Sequence, residues 1–307
     1  MKVGFNFDPF ATDDTMDGKH RFLIRLAVQM RKDGVIIDNN KPDVHIYLPR
    51  GKRNKNAKIN LLRVDGLIMN TRWNYKVKNR KIKESIEKSS AVVYQGDFCE
   101  EAYRKFLNIN KKFKIISNGA DPNEFLPRNP KKFFIANSKW RPHKRLKETI
   151  KCFLVALDKG LDADLIITGK GDYEYKHKRI KYVGWQKKEE LKNLFSKAIG
   201  SIHLTWLDWC PNSMVEAIVA RCPVIYTKCG GQIQLGEGSG IGVEDEQWQF
   251  NLIDLYDPPK LDRDKVADAM IYLENNKDKD LYLVREILNI KNVAKEYEDY
   301  CRILLQK

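Results

Sequence analysis

The sequence predicts an α/β protein built as two doubly wound halves, and three observations lead there. Short β-type runs such as KVGFNF alternate with amphipathic helical runs such as KHRFLIRLAVQMRKDG, the order of a parallel sheet covered by helices. A turn pair, Asn118-Gly119, and three prolines, Pro122, Pro127 and Pro130, punctuate one stretch between them. The chain has 307 residues, enough for two hydrophobic cores. We therefore expect a first domain over residues 1–120, a second over 121–290 and a C-terminal helical segment over 291–307.

Composition narrows the class. With 32% charged and 42% hydrophobic residues, the chain reads as ordinary globular protein. No run approaches the ~18 apolar residues of a membrane span. The start, MKVGFNFDPF, reads as a strand and not as a signal peptide. Cys99, Cys152, Cys210, Cys222, Cys229 and Cys301 show neither metal-ligand nor disulfide-framework spacing, which suits reduced thiols in a cytoplasmic protein.

Charge is distributed unevenly. Residues 1–120 hold 25 Lys and Arg against 13 Asp and Glu, a net of +12, leaving +3 for the rest of a chain whose net is +15. From Arg50 to Lys88 alone there are 13 basic and 3 acidic residues, with Trp73 and Tyr75 among them. A general lysine bias would not concentrate charge in one half. A polyanionic or membrane-surface partner is expected there, with nucleic acid as one form of it.

Taken in order, KVGFNF is a first strand and DPFATDDTMDG a polar loop before the first helix. Asp13, Asp14 and Asp17 in that loop read as solvated or capping acids in preference to metal ligands. VIID, PDVHIYLP and NLLRVDGL are strands, the second feeding the basic loop RGKRNKNAK. KVKNRKIKESIEKSS is a basic helix, AVVYQGDF a strand and EEAYRKFLN a helix. His20 and His45 are expected to pack or cap, one of them within the sheet. In the second half, KKFFIANS is a strand and KWRPHKRLKETIKCFLVAL a basic loop running into a helix. ADLIITGKGDYE ends a strand in a Gly-x-Gly turn. KYVGWQKKEELKNLFSKA supplies strand and helix, and GSIHLTW a strand in which His203 is expected to be core.

Trp206 to Gly231, WLDWCPNSMVEAIVARCPVIYTKCGG, is the stretch that organises the second half. It reads as a strand end, a tight turn, a short helix with Met214, Val215, Ile218 and Val219 on one face, a strand and a Gly-Gly loop. Pro211 suits a first helical turn. Asn212 and Ser213 are expected caps, and Pro223 the stop. Free N–H groups at such a helix start seat a phosphate. Asp208 and Glu216, one on each side, can accept hydrogen bonds from sugar hydroxyls.

Asp208 and Glu216 are eight residues apart, the spacing of the E-x₇-E motif, and CPNSMVEAIVARCPVIYTKCGG resembles the C-P-N-S-x-x-E-A block of retaining family-4 glycosyltransferases. The N-G-x-D stretch at Asn118 resembles that family's domain boundary. The likeness covers most of the chain and is strongest from Asn118 to Gly231. It implies the GT-B fold, two Rossmann-like domains with a cleft between them, and a C-terminal helix that crosses back to the first domain.

The same resemblance implies roles. Asp208 would hold the transferred sugar, Glu216 the ribose. Lys139 and Lys144 match a pair of cations that hold the donor diphosphate and stabilise charge on the leaving group, with Arg141 and Arg145 nearby in support and Asn212 and Ser213 at the helix start. Gly18, after Asp17, stands where the family has Gly-Gly. Gly169 and Gly171 would let the chain pass close to the nucleotide, and Gly184 would border the base. Asp65 matches one half of a His-Asp pair beside the sugar, but Val64 stands in place of the histidine. Gln234 stands where a Glu is common.

The implied activity is transfer of a sugar, with retention, from a nucleotide-diphospho-sugar to a hydroxyl acceptor. A UDP-sugar is the favoured donor and no metal is required. A glycan or lipid-linked glycan is the favoured acceptor, with the protein cytoplasmic or peripheral at a membrane. Two alternatives stay open. One is a DNA glycosyltransferase acting on hydroxymethylated bases, as some viral members are; the other is an inactive nucleotide-sugar- or nucleic-acid-binding protein of the same fold.

Overall fold

The structure, a computed structural model, describes residues 1–10, 18–49, 51–171, 173–279 and 286–306. The loop acids Asp13, Asp14 and Asp17, and Arg50 at the head of the basic stretch, lie outside the described residues.

The first sheet is entirely parallel and consists of β1 (Lys2–Phe5), β2 (Ile36–Ile37), β3 (Val44–Tyr47), β4 (Ile59–Arg63), β5 (Ala91–Tyr94) and β6 (Phe113–Ile115). Its strand order is β2-β1-β3-β4-β5-β6. Every residue of β3 and β5 is buried, as expected of strands covered on both faces. The covering helices are α1 (Gly18–Lys32), α2 (Tyr75–Glu87) and α3 (Asp97–Leu107). Asn74 caps α2, its side chain accepting from the N–H of Val77.

The second sheet repeats the plan with β7 (Phe133–Asn137), β8 (Asp164–Thr168), β9 (Ile180–Gly184), β10 (Ser201–His203), β11 (Val224–Lys228) and β12 (Gly240–Glu244). Its order is β12-β11-β10-β7-β8-β9, again all parallel. Its helices are α4 (Leu146–Asp158), α5 (Lys188–Lys197), α6 (Asn212–Val219), α7 (Gln232–Gly236) and α8 (Arg263–Asn275). Its core packs Phe134, Phe153, Leu165, Ile202, Ile225 and Met270 between the layers.

The last helix, α9 (Ile290–Leu305), belongs to the first unit. Val293, Ala294, Tyr297 and Cys301 on its inner face enter one cluster with Val3, Phe22, Leu26 and Ile46. Gly119 lies against the start of this helix: a Cβ there would stand 3.0 Å from Ile290 Cα. Residues 1–120, 250–253 and 286–307 form the first unit, and 121–249 with 254–285 the second.

Two expectations about the central stretch need correction. Pro223 does not stop α6. The helix ends at Val219 with Ala220 as its cap, and Arg221 turns the chain away at φ 60°, so Pro223 merely precedes β11. Asn212 and Ser213 are inside the first turn, and Pro211 takes the capping position.

All six cysteines are buried free thiols. His45 lies in β3 with Nε2 3.2 Å from the carbonyl of Lys52, while His20 packs edge-on against Phe7.

Candidate active site

In an open parallel sheet, functional loops gather beyond the carboxyl ends of the strands. In the second unit three such loops meet. The loop after β7 carries Lys139, Arg141 and Lys144, the loop after β10 carries Asp208, and the loop after β11 is Gly230-Gly231.

The first of these is braced from below. The Trp140 N–H donates to the carbonyl of Lys170 at 2.8 Å, and its indole N–H to that of Thr168 at 2.9 Å. A Cβ on Gly169, at φ 92°, would lie 1.8 Å from the Ser138 carbonyl oxygen; one on Gly171 would lie 2.7 Å from Trp140 Cβ. The space these glycines leave is therefore filled by the neighbouring loop. Gly184 ends β9 at φ 66° with open space where a Cβ would be. Its carbonyl accepts from the N–H of Gly169 at 2.7 Å. Its residue type answers to backbone conformation.

Past Trp140 the chain makes a 3-10 turn over Pro142–Lys144, and Arg145 follows at φ 55°. The Trp206 N–H donates to the carbonyl of His143 at 2.8 Å, stitching this turn to the exit of β10. That bond brings two predicted residues together: the Lys144 ammonium donates to Asp208 Oδ2. Both side chains are mostly enclosed, at 18% and 19% exposure. Burial acting alone would raise the Asp208 pKa, but the Lys144 charge and hydrogen bond, with the Trp209 N–H, hold it below the usual carboxylate range. Asp208 is an anion in the folded protein.

The Asp208 loop is held in one shape. Leu207 adopts φ 58°, and Asp208 Oδ1 accepts from the N–H of Trp209 at 2.8 Å. Behind it, the carbonyl of Thr205 accepts from Thr227 Oγ1 at 2.7 Å and from Gln232 Nε2 at 2.8 Å. Trp209 packs edge-on against Trp248 with ring centroids 6.2 Å apart.

Arg145 does not support a diphosphate, and this expectation is corrected. Its guanidinium is buried and forks onto Asp245 at 2.5 and 3.2 Å, with further bonds to the carbonyls of Pro259 at 2.8 Å and Leu204 at 3.3 Å. Both of its terminal nitrogens are used inside the unit. Lys139 and Arg141 are exposed on the loop. Asn212, Ser213 and Glu216 are half-buried at the start and in the second turn of α6. Gln234 is half-buried in α7.

Two further predicted residues lie in the first unit. Gly18 is the first residue of α1. Asp65 accepts, through Oδ1, from the Arg63 guanidinium and from Gln95 Nε2 at 3.0 Å. Arg63 is itself buried, reaches Asn118 Oδ1 at 2.5 Å and lies over the Phe22 ring at 4.5 Å. This network gives Asp65 a structural role in joining the exit of β4 to the end of the unit.

His143 was not singled out by the sequence. It is buried, stacks on Tyr256 with centroids 5.8 Å apart, and its Nδ1 has no hydrogen-bond partner. Burial first, then the Lys144 charge, lower its pKa to about 3. A neutral imidazole thus packs under the Lys144–Asp208 pair. His203, expected as core, is buried within 2.9 Å of Ser201 Oγ, and burial likewise lowers its pKa to about 3. Among the described residues no cluster of three or more His, Cys, Asp or Glu is placed to hold a metal, and no helix is long and apolar enough to cross a membrane.

No family model matches the sequence, and no curated protein does. Solved structures do match. Sucrose-phosphate synthase from Thermosynechococcus elongatus is similar over 99% of both chains, with TM-score 0.73 and 14% identity. Anabaena Alr3699/HepE in complex with UDP-glucose is similar over 99% of this chain and 100% of its own, with TM-score 0.67 and 13% identity. A mutant of S. aureus TarM in complex with Fondaparinux, α-GlcNAc-glycerol and UDP matches 93% of this chain with TM-score 0.67 and 13% identity, but the chain spans only 59% of it. With two six-stranded parallel sheets and α9 packed on the first unit, the chain has the GT-B fold.

Proposed function

We propose that this protein is a nucleotide-sugar-dependent glycosyltransferase that transfers a sugar from a UDP-sugar to a hydroxyl acceptor with retention of configuration. One observation carries the reading: Lys144 and Asp208, which the resemblance assigns to a diphosphate and a sugar, meet at the strand ends beside the helix that bears Glu216. The donor diphosphate would sit on Lys144, Lys139 and the N–H groups of Asn212 and Ser213, with Arg141 available from the same loop. Glu216 would accept from the ribose. The enclosed Lys144, the exposed Lys139 and the helix dipole would stabilise the departing diphosphate, a preorganised electrostatic contribution. UDP is favoured because two of the similar structures are described as complexes with UDP or UDP-glucose. The reaction is proposed to need no metal.

On the acceptor side, the basic surface of the first unit supports an anionic partner. Lys76, Arg80, Lys81 and Lys83 are exposed along α2, and Lys52, Arg53 and Lys55 on the loop before β4. Arg53 donates to the carbonyl of Lys88 at 2.9 Å, which joins loop and helix into one basic face. A glycan or lipid-linked glycan at an anionic membrane surface is the preferred acceptor. DNA is the second reading, since Trp73 and Tyr75 are only half-buried on this face, as stacking on a base would need.

The test is incubation of the purified protein with a panel of UDP-, GDP- and ADP-sugars, with detection of released nucleotide. Slow hydrolysis of one donor is expected without any acceptor. A protein that binds the nucleotides but releases none, with any acceptor class, would be the binding protein instead.

A further inference from the structure

Lys144 is the cation best enclosed at the proposed donor site, yet its ammonium already has an anion. The Asp208 carboxylate occupies it, and the backbone on both sides is locked. On the lysine side, Arg145 is anchored through Asp245 and the Trp206 N–H holds the His143 carbonyl. On the aspartate side, Gly231 donates to the Asp208 carbonyl, and the Trp209 N–H holds Oδ1. The contact is therefore built into the fold and is not a chance meeting of two long side chains.

Resting on the donor-site reading above, we infer that Asp208 is an internal counter-anion that fills the phosphate seat on Lys144 until the donor arrives. A diphosphate carries more charge than a carboxylate and can displace it. Lys144 has the four-carbon stem to swing, whereas Asp208 is fixed by its neighbours. Once Lys144 turns to the diphosphate, Asp208 Oδ2 is left to accept a hydroxyl of the transferred sugar. The sugar contact then forms only when a diphosphate is in place, so nucleotide and sugar recognition are coupled through one ion pair. Without a ligand, the pair also spares each ion the cost of standing alone in an enclosed site.

The test is calorimetric binding of UDP and of uridine to wild type, Asp208→Asn, Lys144→Ala and the double variant. Asn keeps an acceptor for the Trp209 N–H and removes the charge. Asp208→Asn is expected to bind UDP about ten-fold more tightly than wild type, because it removes competition within a partly enclosed pair. Uridine, which has no phosphate, should bind both alike. In the Lys144→Ala background the same change should alter UDP affinity by no more than about two-fold, since the seat it frees is gone. Hydrolysis of the donor sugar should fall in Asp208→Asn even as UDP binding rises, a split that a merely structural role would not give. Equal or weaker UDP binding by a folded Asp208→Asn protein overturns the inference while leaving the donor site intact. Loss of folding in that variant moves the same measurement to Asp208→Ser. If wild type binds none of UDP, GDP or ADP, the donor-site reading fails and this inference with it.

Discussion

The N–H of Gly231 donates to the carbonyl of Asp208 at 2.8 Å, and the space a Gly231 Cβ would need lies 1.8 Å from the carbonyl oxygen of Trp209. Backbone thus meets backbone at the residue that grips Lys144. Gly231→Ala cannot be absorbed by a side-chain rotation and must push the Asp208–Trp209 segment away. We expect a stability loss of about 1–3 kcal/mol from overpacking and a weaker hold on UDP. Urea unfolding and calorimetry check the two effects. Unchanged values in both would show that this loop is free to move.

Arg145 and Asp245 form a buried pair, their side chains 1% and 0% exposed. Removing one partner strands the other. Arg145→Ala should cost roughly 3–5 kcal/mol of stability, far more than a surface cation lost from a phosphate site. Replacing both, as in Arg145→Met with Asp245→Leu, should recover much of that loss. Urea midpoints of the three variants decide. A stable Arg145→Ala protein with weakened UDP binding would return this residue to the donor site.

The two sheets were legible because local chemistry and tertiary burial agree: β3 and β5 read as strands and are buried throughout. The loops were legible only in part. Lys144 and Asp208 could each be picked out by resemblance to the family's motifs, but the bond between them joins residues 64 apart in sequence, and no local pattern encodes it. Arg145 shows the failure clearly. A basic residue beside two other basic residues looks like a phosphate ligand until Asp245, 100 residues on, is brought against it. A Gly-x-Gly turn advertises close approach but does not say what approaches, and at Gly169 it is Ser138. Helix α7 escaped notice because it is only five residues long.

Stability should fall steeply in mild acid. His143 and His203 have folded-state pKa values lowered to about 3, against ~6.5 in the unfolded chain. Above about pH 6.5 both states are neutral and these groups favour neither. Below it the unfolded state takes up protons that the native state refuses, so stability drops as pH falls until about pH 3. Between pH 7 and pH 5 each histidine should cost about 2 kcal/mol. His45, also buried and with a lowered pKa, acts in the same direction. Urea unfolding at the two pH values gives the loss, and His203→Gln should flatten the slope. Equal stability at pH 7 and pH 5 would mean that neither ring is buried neutral.

Glu216 tests the proposed donor site from the other side. It stands half-buried in the second turn of α6. Glu216→Ala should weaken UDP by about 1–3 kcal/mol through lost ribose hydrogen bonds. Inorganic pyrophosphate, which has no ribose, should bind as before. Wild-type affinity for UDP in this variant would remove Glu216 from the site.

The basic face of the first unit makes the last prediction, and the structure says which cations to use. Arg53 is tied to the carbonyl of Lys88, and the Lys78 ammonium lies 5.1 Å from the Trp73 ring centroid, so reversing either would disturb local structure. Lys55, Lys76, Lys81 and Lys83 are exposed and can be reversed to Glu with little structural effect. If an anionic membrane is the partner, vesicles containing phosphatidylserine should bind the protein, with each reversal costing on the order of 1 kcal/mol. Duplex DNA would instead show a log–log loss of affinity with salt of roughly one counterion per phosphate contact, and a shallower slope in the quadruple variant. In both cases UDP affinity should stay at the wild-type value, because these residues belong to the first unit and the proposed donor residues Lys139, Lys144 and Glu216 to the second. Strong vesicle binding with no DNA binding selects the lipid-linked acceptor, and the reverse selects DNA. Binding to neither at low salt would mean that the charge on α2 serves no anionic partner and reflects only the lysine content of the chain.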